Sequence, residues 1–369
     1  MTGMPPAARI LIVRLSALGD IVHALPVLAA LRRQDPAVRV DWLVEQAYAP
    51  VLGLVEGVHR RVIVRAAAPA RGSGPGREPP QGGAGGHAAD VRFGGGLGYL
   101  RAAAFLRRQH YDAALDLQGL IKSAVWARLS GARRVIGFAR SHLREPQAAW
   151  LYGETVVPPA SPHVIQKNLS LATYLGASAA PVELPIAAPT DGAVARTIEA
   201  AIGPARYAVL NPGAAWPNKR WPPKRFGALA ASLLHRHGLV SFVTWGPAER
   251  ALAETIVSES NGAARLAPPT GIADLAALMG RAALVVSGDT GPLHIAAAMG
   301  APIVGLYGPT WPERNGPWHP DDEVISRAER CQCHHKRQCL IGAPCINDIS
   351  LGEVEEAVDR RLAKEPKAS

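Results

Sequence analysis

The chain has 369 residues, 48% of them hydrophobic and 5% aromatic, a composition typical of a soluble globular protein with two domains. Its formal net charge of +10 indicates either anionic partners, such as nucleotides, anionic lipid surfaces or nucleic acid, or simply a basic surface. No segment approaches the roughly 20 consecutive apolar residues of a membrane-spanning helix, and the apolar run 10–13 is too short for a signal peptide. We therefore expect a cytoplasmic protein that can contact a membrane surface.

The first half of the chain alternates short apolar runs with segments of helical periodicity. The predicted strands are 10–15, 38–44, 61–64, 113–116 and 135–138. The predicted helices are 21–33, 100–108, 120–129 and 163–175. Strands that alternate with helices are typical of a doubly wound parallel sheet.

The segment 66–98 interrupts this alternation with Gly, Pro and Arg. Because such a composition cannot build a core, we predict a mobile surface loop. The loop is either a substrate flap or an insertion, and the sequence does not separate the two.

A second α/β series follows the crossing at 176–185. Its predicted strands are 207–210, 239–244, 284–287 and 302–307, and its predicted helices are 222–237, 249–258 and 272–279. The sequence therefore predicts an α/β protein with two Rossmann-like parallel domains that face each other across a cleft. The domains are 1–180 and 181–350, followed by a C-terminal helix and tail at 351–369.

The motif Ser16-Ala-Leu-Gly-Asp20 follows the first predicted strand. Gly19 permits a tight turn, and Asp20 opens the next helix. Asp20 either caps that helix, a role that Asp fills well, or removes a proton from an attacking hydroxyl.

The junction Ser287-Gly-Asp-Thr-Gly291 joins a buried strand to a short helix. Ligands of open α/β sheets bind at such strand ends, and the free N–H groups of the helix favour phosphate. Asp289, Thr290, Gly291 and His294 converge there, although His294 can equally be a half-buried structural residue.

The second domain opens with Asn211-Pro-Gly-Ala-Ala-Trp-Pro-Asn-Lys219. The small side chains of Ala214 and Ala215 allow a ligand to approach the backbone. Lys219 precedes a helix, where a cation opposes the helix dipole unless an anion binds, so it could neutralise a departing diphosphate. Glu249 is either an acid in the first turn of a helix, where it matches the helix dipole, or an acceptor for ribose hydroxyls.

Four cysteines lie near the C-terminus, at Cys331, Cys333, Cys339 and Cys345, with two histidines among them. In a cytosolic chain this clustering suggests a metal site before disulfides. Because no Cys-x-x-Cys pair is present, we favour reduced thiols and no metal, with zinc as the weaker alternative.

A P-loop, a Gly-x-Gly-x-x-Gly fingerprint after the first strand and a His-Glu-x-x-His motif are all absent from the sequence. The motifs that are present resemble those of the family 9 glycosyltransferases, the ADP-heptose:lipopolysaccharide heptosyltransferases. The resemblance rests on segments 16–20, 116–123, 219–222 and 288–294 and covers nearly the whole chain. Segments 118–123 and 144–146 are most similar to heptosyltransferase I, which makes Lys122 and Arg144 candidates on the acceptor side.

The resemblance implies a GT-B fold with an acceptor-binding N-terminal domain and a donor-binding C-terminal domain. It implies inverting transfer from ADP-heptose to Kdo-lipid A, without a cofactor, by a cytoplasmic enzyme peripheral to the inner membrane. Asp20 matches the catalytic base. The donor-binding matches are Ala214, Ala215, Lys219, Glu249, Asp289, Thr290, Gly291 and His294.

Two departures concern the acceptor. The long loop of heptosyltransferase I is basic and aromatic, whereas 66–98 is rich in Gly and Pro, and the cysteine-bearing tail is closer to other family 9 members. A transferase with another acceptor or donor, such as a heptosyltransferase II-like enzyme, is therefore the alternative. A non-catalytic binder of nucleic acid or anionic surfaces would gather its cations with aromatic residues, but aromatic residues are scarce and Lys and Arg are dispersed, so we expect no nucleic-acid partner.

Overall fold

Two parallel β-sheets, one in each half of the chain, organise the protein. The computed structural model describes residues 4–65, 89–94, 97–161, 163–187, 193–203, 205–334 and 336–364. Chain contacts divide it into unit 1, Met1–Ala187, and unit 2, Ala188–Ser369. The division falls seven residues after the predicted boundary because Ile186 pairs with Val55 in unit 1.

The described part of unit 1 contains seven strands in the order β4-β3-β2-β1-β5-β6-β7, all parallel. The strands are β1 Arg9–Val13, β2 Arg39–Glu45, β3 Arg60–Val64, β4 Ala89–Phe93, β5 Ala113–Asp116, β6 Arg134–Phe138 and β7 Glu154–Val156. The helices are α1 Leu18–Val22, α2 Leu25–Gln34, α3 Ala49–Leu52, α4 Gly98–Arg107, α5 Ile121–Leu129 and α6 Val164–Tyr174. Two 3₁₀ helices, Arg140–His142 and Pro146–Leu151, lie between β6 and β7.

Among its described residues, unit 2 contains six parallel strands in the order β10-β9-β8-β11-β12-β13. The strands are β8 Tyr207–Asn211, β9 Val240–Val243, β10 Ala264–Leu266, β11 Leu284–Gly288, β12 Ile303–Tyr307 and β13 Glu323–Ser326. The helices are α7 Ala193–Ile202, α8 Pro223–His237, α9 Arg250–Ser258, α10 Ile272–Gly280, α11 Gly291–Ala298, α12 Pro312–Asn315 and α13 Leu351–Ala363. The predicted α/β class with parallel sheets is confirmed.

Strand order reverses at one place in each sheet. In unit 1 the chain proceeds outward from β1 to β4 and then returns to β5, beside β1; in unit 2 it proceeds from β8 to β10 and returns to β11, beside β8. Loops on the two sides of such a reversal diverge at the carboxyl ends of the strands and leave room for a ligand. The fold therefore predicts one binding position in each unit.

Both sheets carry apolar layers. In unit 1, α4 and α5 pack against the sheet, and Leu106 and Trp126 lie among Leu11, Val13 and Leu43 of β1 and β2. In unit 2, the α8 side chains Phe226 and Leu229 pack with Leu210 and Val286. Alternate residues of the buried strands thus support helices that hold the strand ends in place.

The structure corrects two predictions in unit 1. The predicted helix 21–33 is two helices, α1 and α2, because Pro26 lacks the N–H that a continuous helix requires and instead occupies the first turn of α2. The predicted loop 66–98 contains a strand, β4, which pairs with β3 at the sheet edge. Residues 66–88, 95 and 96 of that loop lie outside the described residues.

No helix in the described parts of the chain is long and apolar enough to cross a membrane.

Candidate active site

Asp20 lies in the first turn of α1, the helix that follows β1 at the strand reversal of unit 1. Its Oδ2 atom is 2.9 Å from Nη2 of Arg14, whose side chain is buried, while the Asp20 side chain is 42% exposed. Oδ2 also lies 3.4 Å from the backbone N of Ala17, a long contact for a helix-capping bond. The geometry thus gives Asp20 a weak capping contact and a strong ion pair, and leaves part of the carboxylate accessible to a substrate hydroxyl.

Arg14 is anchored from several directions. A second guanidinium nitrogen donates to the carbonyl of Leu117, and the indole of Trp42 donates to the Arg14 carbonyl over 3.2 Å. Next to it, Gln118 accepts from the backbone N of Leu15 over 2.8 Å, which ties the end of β5 to the end of β1. Sequence reasoning missed Arg14, although it stands five residues before Gly19 in the same motif region.

Asp116 ends β5 beside Val13 and is completely buried. Burial raises its pKa, and hydrogen bonds from Tyr152, Ser123 and the backbone of Gln118 and Gly119 oppose that rise. These bonds shape the turn that carries Gln118, so Asp116 supports the site without facing it.

The acceptor-side candidates lie on the surface of unit 1. Lys122 is in the first turn of α5 and pairs with Glu45 over 2.9 Å, with half of its side chain exposed. Arg144 is exposed between the two 3₁₀ helices. The structure places them on neighbouring elements, because Glu145 accepts from the backbone N of Ile121 over 2.7 Å.

In unit 2, Lys219 and His294 both contact the carboxylate of Asp289. Lys219 Nζ is 2.5 Å from Oδ2, and His294 Nε2 is 3.3 Å from Oδ1. Asn315, which sequence reasoning missed, donates to Oδ1 over 2.6 Å. Burial alone would raise the pKa of Asp289, but the His294 hydrogen bond and the Lys219 charge outweigh it and hold that pKa below its ordinary value.

Asn211 is a third residue that sequence reasoning missed. It ends β8 in register with Ser287 of β11, and its amide donates to Ser287 Oγ over 2.9 Å and to Thr290 Oγ1 over 3.1 Å. The amide oxygen accepts from Thr244 over 2.9 Å. Asn211 therefore joins the ends of three strands where the order of the sheet reverses, and Thr290 is the N-cap residue of α11.

Arg220 and Glu249 flank the loop that carries the two predicted alanines. Arg220 donates through Nε and Nη2 to the carbonyl of Ala214, over 2.9 and 2.7 Å, and lies 3.5 Å from Glu249. Ala214 is buried and Ala215 exposed. Glu249 is the N-cap residue of α9 and accepts from the backbone N of Gly246 over 3.1 Å.

The structure brings the cysteines together as free thiols. Cys333 Sγ lies 3.8 Å from Cys339 Sγ, and burial with a hydrogen bond to Cys331 raises the pKa of Cys345 to about 12. In the described part of the chain, which leaves out residue 335, no group of three or more His, Cys, Asp or Glu residues is placed to hold a metal ion. The zinc alternative gains no support from these residues.

Two parallel α/β units with polar clusters at their strand reversals are the architecture of GT-B glycosyltransferases, and solved structures of that class match it. Heptosyltransferase WaaC of E. coli with ADP-2-deoxy-2-fluoro heptose has a TM-score of 0.66 at 23% identity, over 95% of this chain and 99% of that one. E. coli ADP-heptose lps heptosyltransferase II has a TM-score of 0.71 at 20% identity, over 96% and 98%. The protein therefore has the GT-B fold.

The family follows from sequence. The model of glycosyltransferase family 9 (heptosyltransferase) matches residues 99–343, so the chain belongs to that family. It is similar to lipopolysaccharide heptosyltransferase 1 of Pseudomonas aeruginosa, with 29% identity over 308 residues, which cover 84% of this chain and 81% of the relative.

Proposed function

We propose that the protein transfers heptose from ADP-heptose to Kdo of a lipid A precursor, with inversion at the anomeric carbon. One observation supports the proposal above all. Lys219 contacts Asp289, the residue before the N-cap of α11, at the strand reversal of unit 2. A cation beside the free N–H groups of a helix suits a diphosphate. Of the solved structures named above, one holds ADP-2-deoxy-2-fluoro heptose and the other is an ADP-heptose lps heptosyltransferase.

In this proposal, Asp20 is the general base in unit 1. Its carboxylate takes the proton of the acceptor hydroxyl as the oxygen attacks the anomeric carbon of heptose. The bond to the diphosphate breaks on the opposite side, so one displacement inverts the configuration. Lys219 and the N–H groups of Thr290 and Gly291 offset the negative charge that grows on ADP.

We assign the remaining donor contacts by position. Ala214 and Ala215 offer backbone rather than hydroxyl groups to the phosphates, and Glu249 accepts from the ribose. Asp289, buried under Lys219, His294 and Asn315, orients those side chains. Lys122 and Arg144 carry exposed positive charge that suits an anionic acceptor. In this proposal the enzyme works at the cytoplasmic face of the inner membrane and has no nucleic-acid partner.

The test is ADP release by the purified protein supplied with ADP-heptose, with and without Kdo-lipid A. Release that requires Kdo-lipid A is the expected result. ADP-heptose binding with turnover only on heptosyl-Kdo-lipid A would assign the heptosyltransferase II-like reaction instead. Failure to bind ADP-heptose would overturn the donor.

A further inference from the structure

Exposed apolar side chains are concentrated on one part of unit 1. Among the described residues, twelve large hydrophobic side chains are exposed, and six of them lie on α4, α5 and the 3₁₀ helix that follows them or at the start of α4. The six are Leu97, Tyr99, Leu100, Ile121, Val125 and Trp150. Leu100 is 69% and Trp150 73% exposed. Single apolar side chains are normal on the surface of a monomer, whereas a group of them marks an interaction site.

The three elements form one layer. The inner sides of α4 and α5 pack against the sheet through Leu106 and Trp126, and Tyr99 of α4 contacts the Trp126 ring at 5.7 Å. Glu145, at the start of the 3₁₀ helix Pro146–Leu151, bonds to the first residue of α5. The outer side of this layer therefore carries the exposed side chains, and we call it the α4–α5 surface.

The α4–α5 surface is also strongly basic. Segments 97–108, 121–129 and 140–151 contain seven Lys and Arg residues and one acid, a formal charge of +6 out of +10 for the whole chain. All seven are exposed, namely Arg101, Arg107, Arg108, Lys122, Arg128, Arg140 and Arg144. The Arg140 guanidinium lies 5.4 Å from the centre of the Trp150 ring, so cation and aromatic side chain are adjacent.

We propose that the α4–α5 surface docks the protein on an anionic lipid bilayer. Apolar side chains enter the boundary between head groups and acyl chains, a tryptophan is favoured at that depth, and the surrounding arginines meet lipid phosphates. The net positive charge of these segments, which remains after Glu45 pairs with Lys122, favours an anionic partner. The exposed aliphatic side chains favour a bilayer over a nucleic acid. The role rests on the proposed function, whose acceptor is a lipid, but docking itself needs no acceptor.

The experiment is vesicle flotation of the full-length protein without acceptor or donor. Vesicles of phosphatidylcholine with phosphatidylglycerol should carry the protein, vesicles of phosphatidylcholine alone should carry much less, and added salt should weaken the association. Each cation near an anionic surface contributes about fivefold to affinity, so Arg101→Gln with Arg108→Gln should weaken binding about 25-fold. Leu100→Ser with Trp150→Ser should also release the protein from the vesicles.

The matched controls lie in unit 2. Leu340 and Ile341 are 65% and 62% exposed, so Leu340→Ser with Ile341→Ser removes comparable apolar surface. Arg250→Gln with Arg360→Gln removes two exposed charges, since those side chains are 58% and 55% exposed. Both controls should bind vesicles as the unchanged protein does, and Lys122 and Arg144 are left unaltered because they belong to the proposed acceptor side.

Three results would overturn docking: no binding to anionic vesicles, equal losses in the controls, or a dimer that Leu100→Ser with Trp150→Ser dissociates. In the last case the surface joins two copies of the chain. Turnover of detergent-dispersed acceptor separates the two proposals. Turnover without vesicle binding would remove docking alone, whereas vesicle binding without turnover of any ADP-heptose would remove the proposed function alone.

Discussion

The carboxylate of Asp20 combines a fixed position with partial exposure. Arg14 lies buried beneath it and is itself held by the end of β5, so the ion pair at 2.9 Å has little freedom to move. The arrangement suits a base that must be aimed at one hydroxyl.

Asp20→Asn separates the capping role from the catalytic one. The amide oxygen can still accept from the backbone of Ala17, so α1 should keep its start. We expect kcat to fall by about 10² to 10⁴, the range that a positioned base contributes. ADP binding, measured by calorimetry, should be unchanged because the proposed donor site lies in unit 2. A near-normal kcat would exclude Asp20 as the base.

Lys219→Met should lower both donor affinity and stability. It removes the cation from a carboxylate whose side chain is 4% exposed, and breaking such a buried pair costs about 3 kcal/mol or more. In the double variant Lys219→Met with Asp289→Asn, much of the thermal stability should return, because no buried charge is left without its partner. Donor affinity should stay low in both variants. If the double variant recovers donor binding, Lys219 does not contact the diphosphate.

The sequence predicted the charged residues of the two polar clusters but not the side chains that hydrogen-bond to them. Asp20, Lys219 and Asp289 stand in local motifs at strand ends, where the pattern of the chain alone indicates a site. Asn315 bonds to Asp289 from 26 residues away, and Asn211 reaches Ser287 across 76 residues. Such contacts depend on strand register, which periodicity does not reveal.

Among the secondary-structure elements, the sequence likewise predicted some strands and missed others. Nine strands were predicted, and they are the nine interior strands of the two sheets; those missed are the described edge strands β4, β7, β10 and β13. An edge strand pairs on one side only and need not be apolar. β4 is exposed or half-buried throughout, and its Asp90 pairs with Arg61 of β3 over 2.5 Å. Charged edges of this kind also discourage association between sheets.

Gly288 allows β11 to approach the backbone that carries Lys219. A Cβ atom at this position would lie 2.7 Å from the carbonyl oxygen of Lys219, so Gly288→Ala must displace backbone. We expect a loss of about 1–3 kcal/mol in stability and weaker ADP binding. Gly352→Ala is the matched control, since a Cβ there meets no atom within 4 Å and α13 should tolerate or favour alanine. Chemical denaturation of both variants checks the difference, and equal losses would contradict the steric argument.

Glu353 links the start of α13 to the rest of unit 2. A hydrogen bond from Arg327 and further bonds from Ser350 lower the pKa of Glu353 to about 2. Because the pKa is lower in the folded state, the stabilisation is complete above the ordinary value of 4.5 and is lost as pH falls towards about 2. The side chain is 41% exposed, so the gain is at most about 1 kcal/mol.

Glu353→Gln should therefore unfold at a lower temperature than the unchanged protein at neutral pH, and the gap should close between pH 4.5 and about 2. Glu355→Gln, on the same helix, provides the comparison for the loss of one acidic charge. Melting temperatures across this pH range give the measurement. A gap that persists below pH 2 would show that the cap acts through its shape rather than its charge.

At the scale of the molecule, each unit has its own sheet, its own apolar layers and one polar cluster at its strand reversal. The proposed base stands in unit 1 and the proposed donor site in unit 2. A ligand of one unit should therefore stabilise that unit before it affects the other, because ligand binding adds stability only to the structure that it contacts.

ADP alone should show this division by hydrogen exchange. At about a hundred times its dissociation constant, a ligand adds about 2.7 kcal/mol to the stability of the state that binds it. Amides that exchange through unfolding of unit 2 should slow by up to about 100-fold, most clearly at the ends of β8 and β11 and at the start of α11. Those of unit 1, including the turn at Asp20, should keep their rates. Protection centred on Asp20 would instead place the nucleotide in unit 1 and reverse the assignment of the donor and acceptor units. Protection confined to unit 2 leaves Asp20 free for the acceptor hydroxyl.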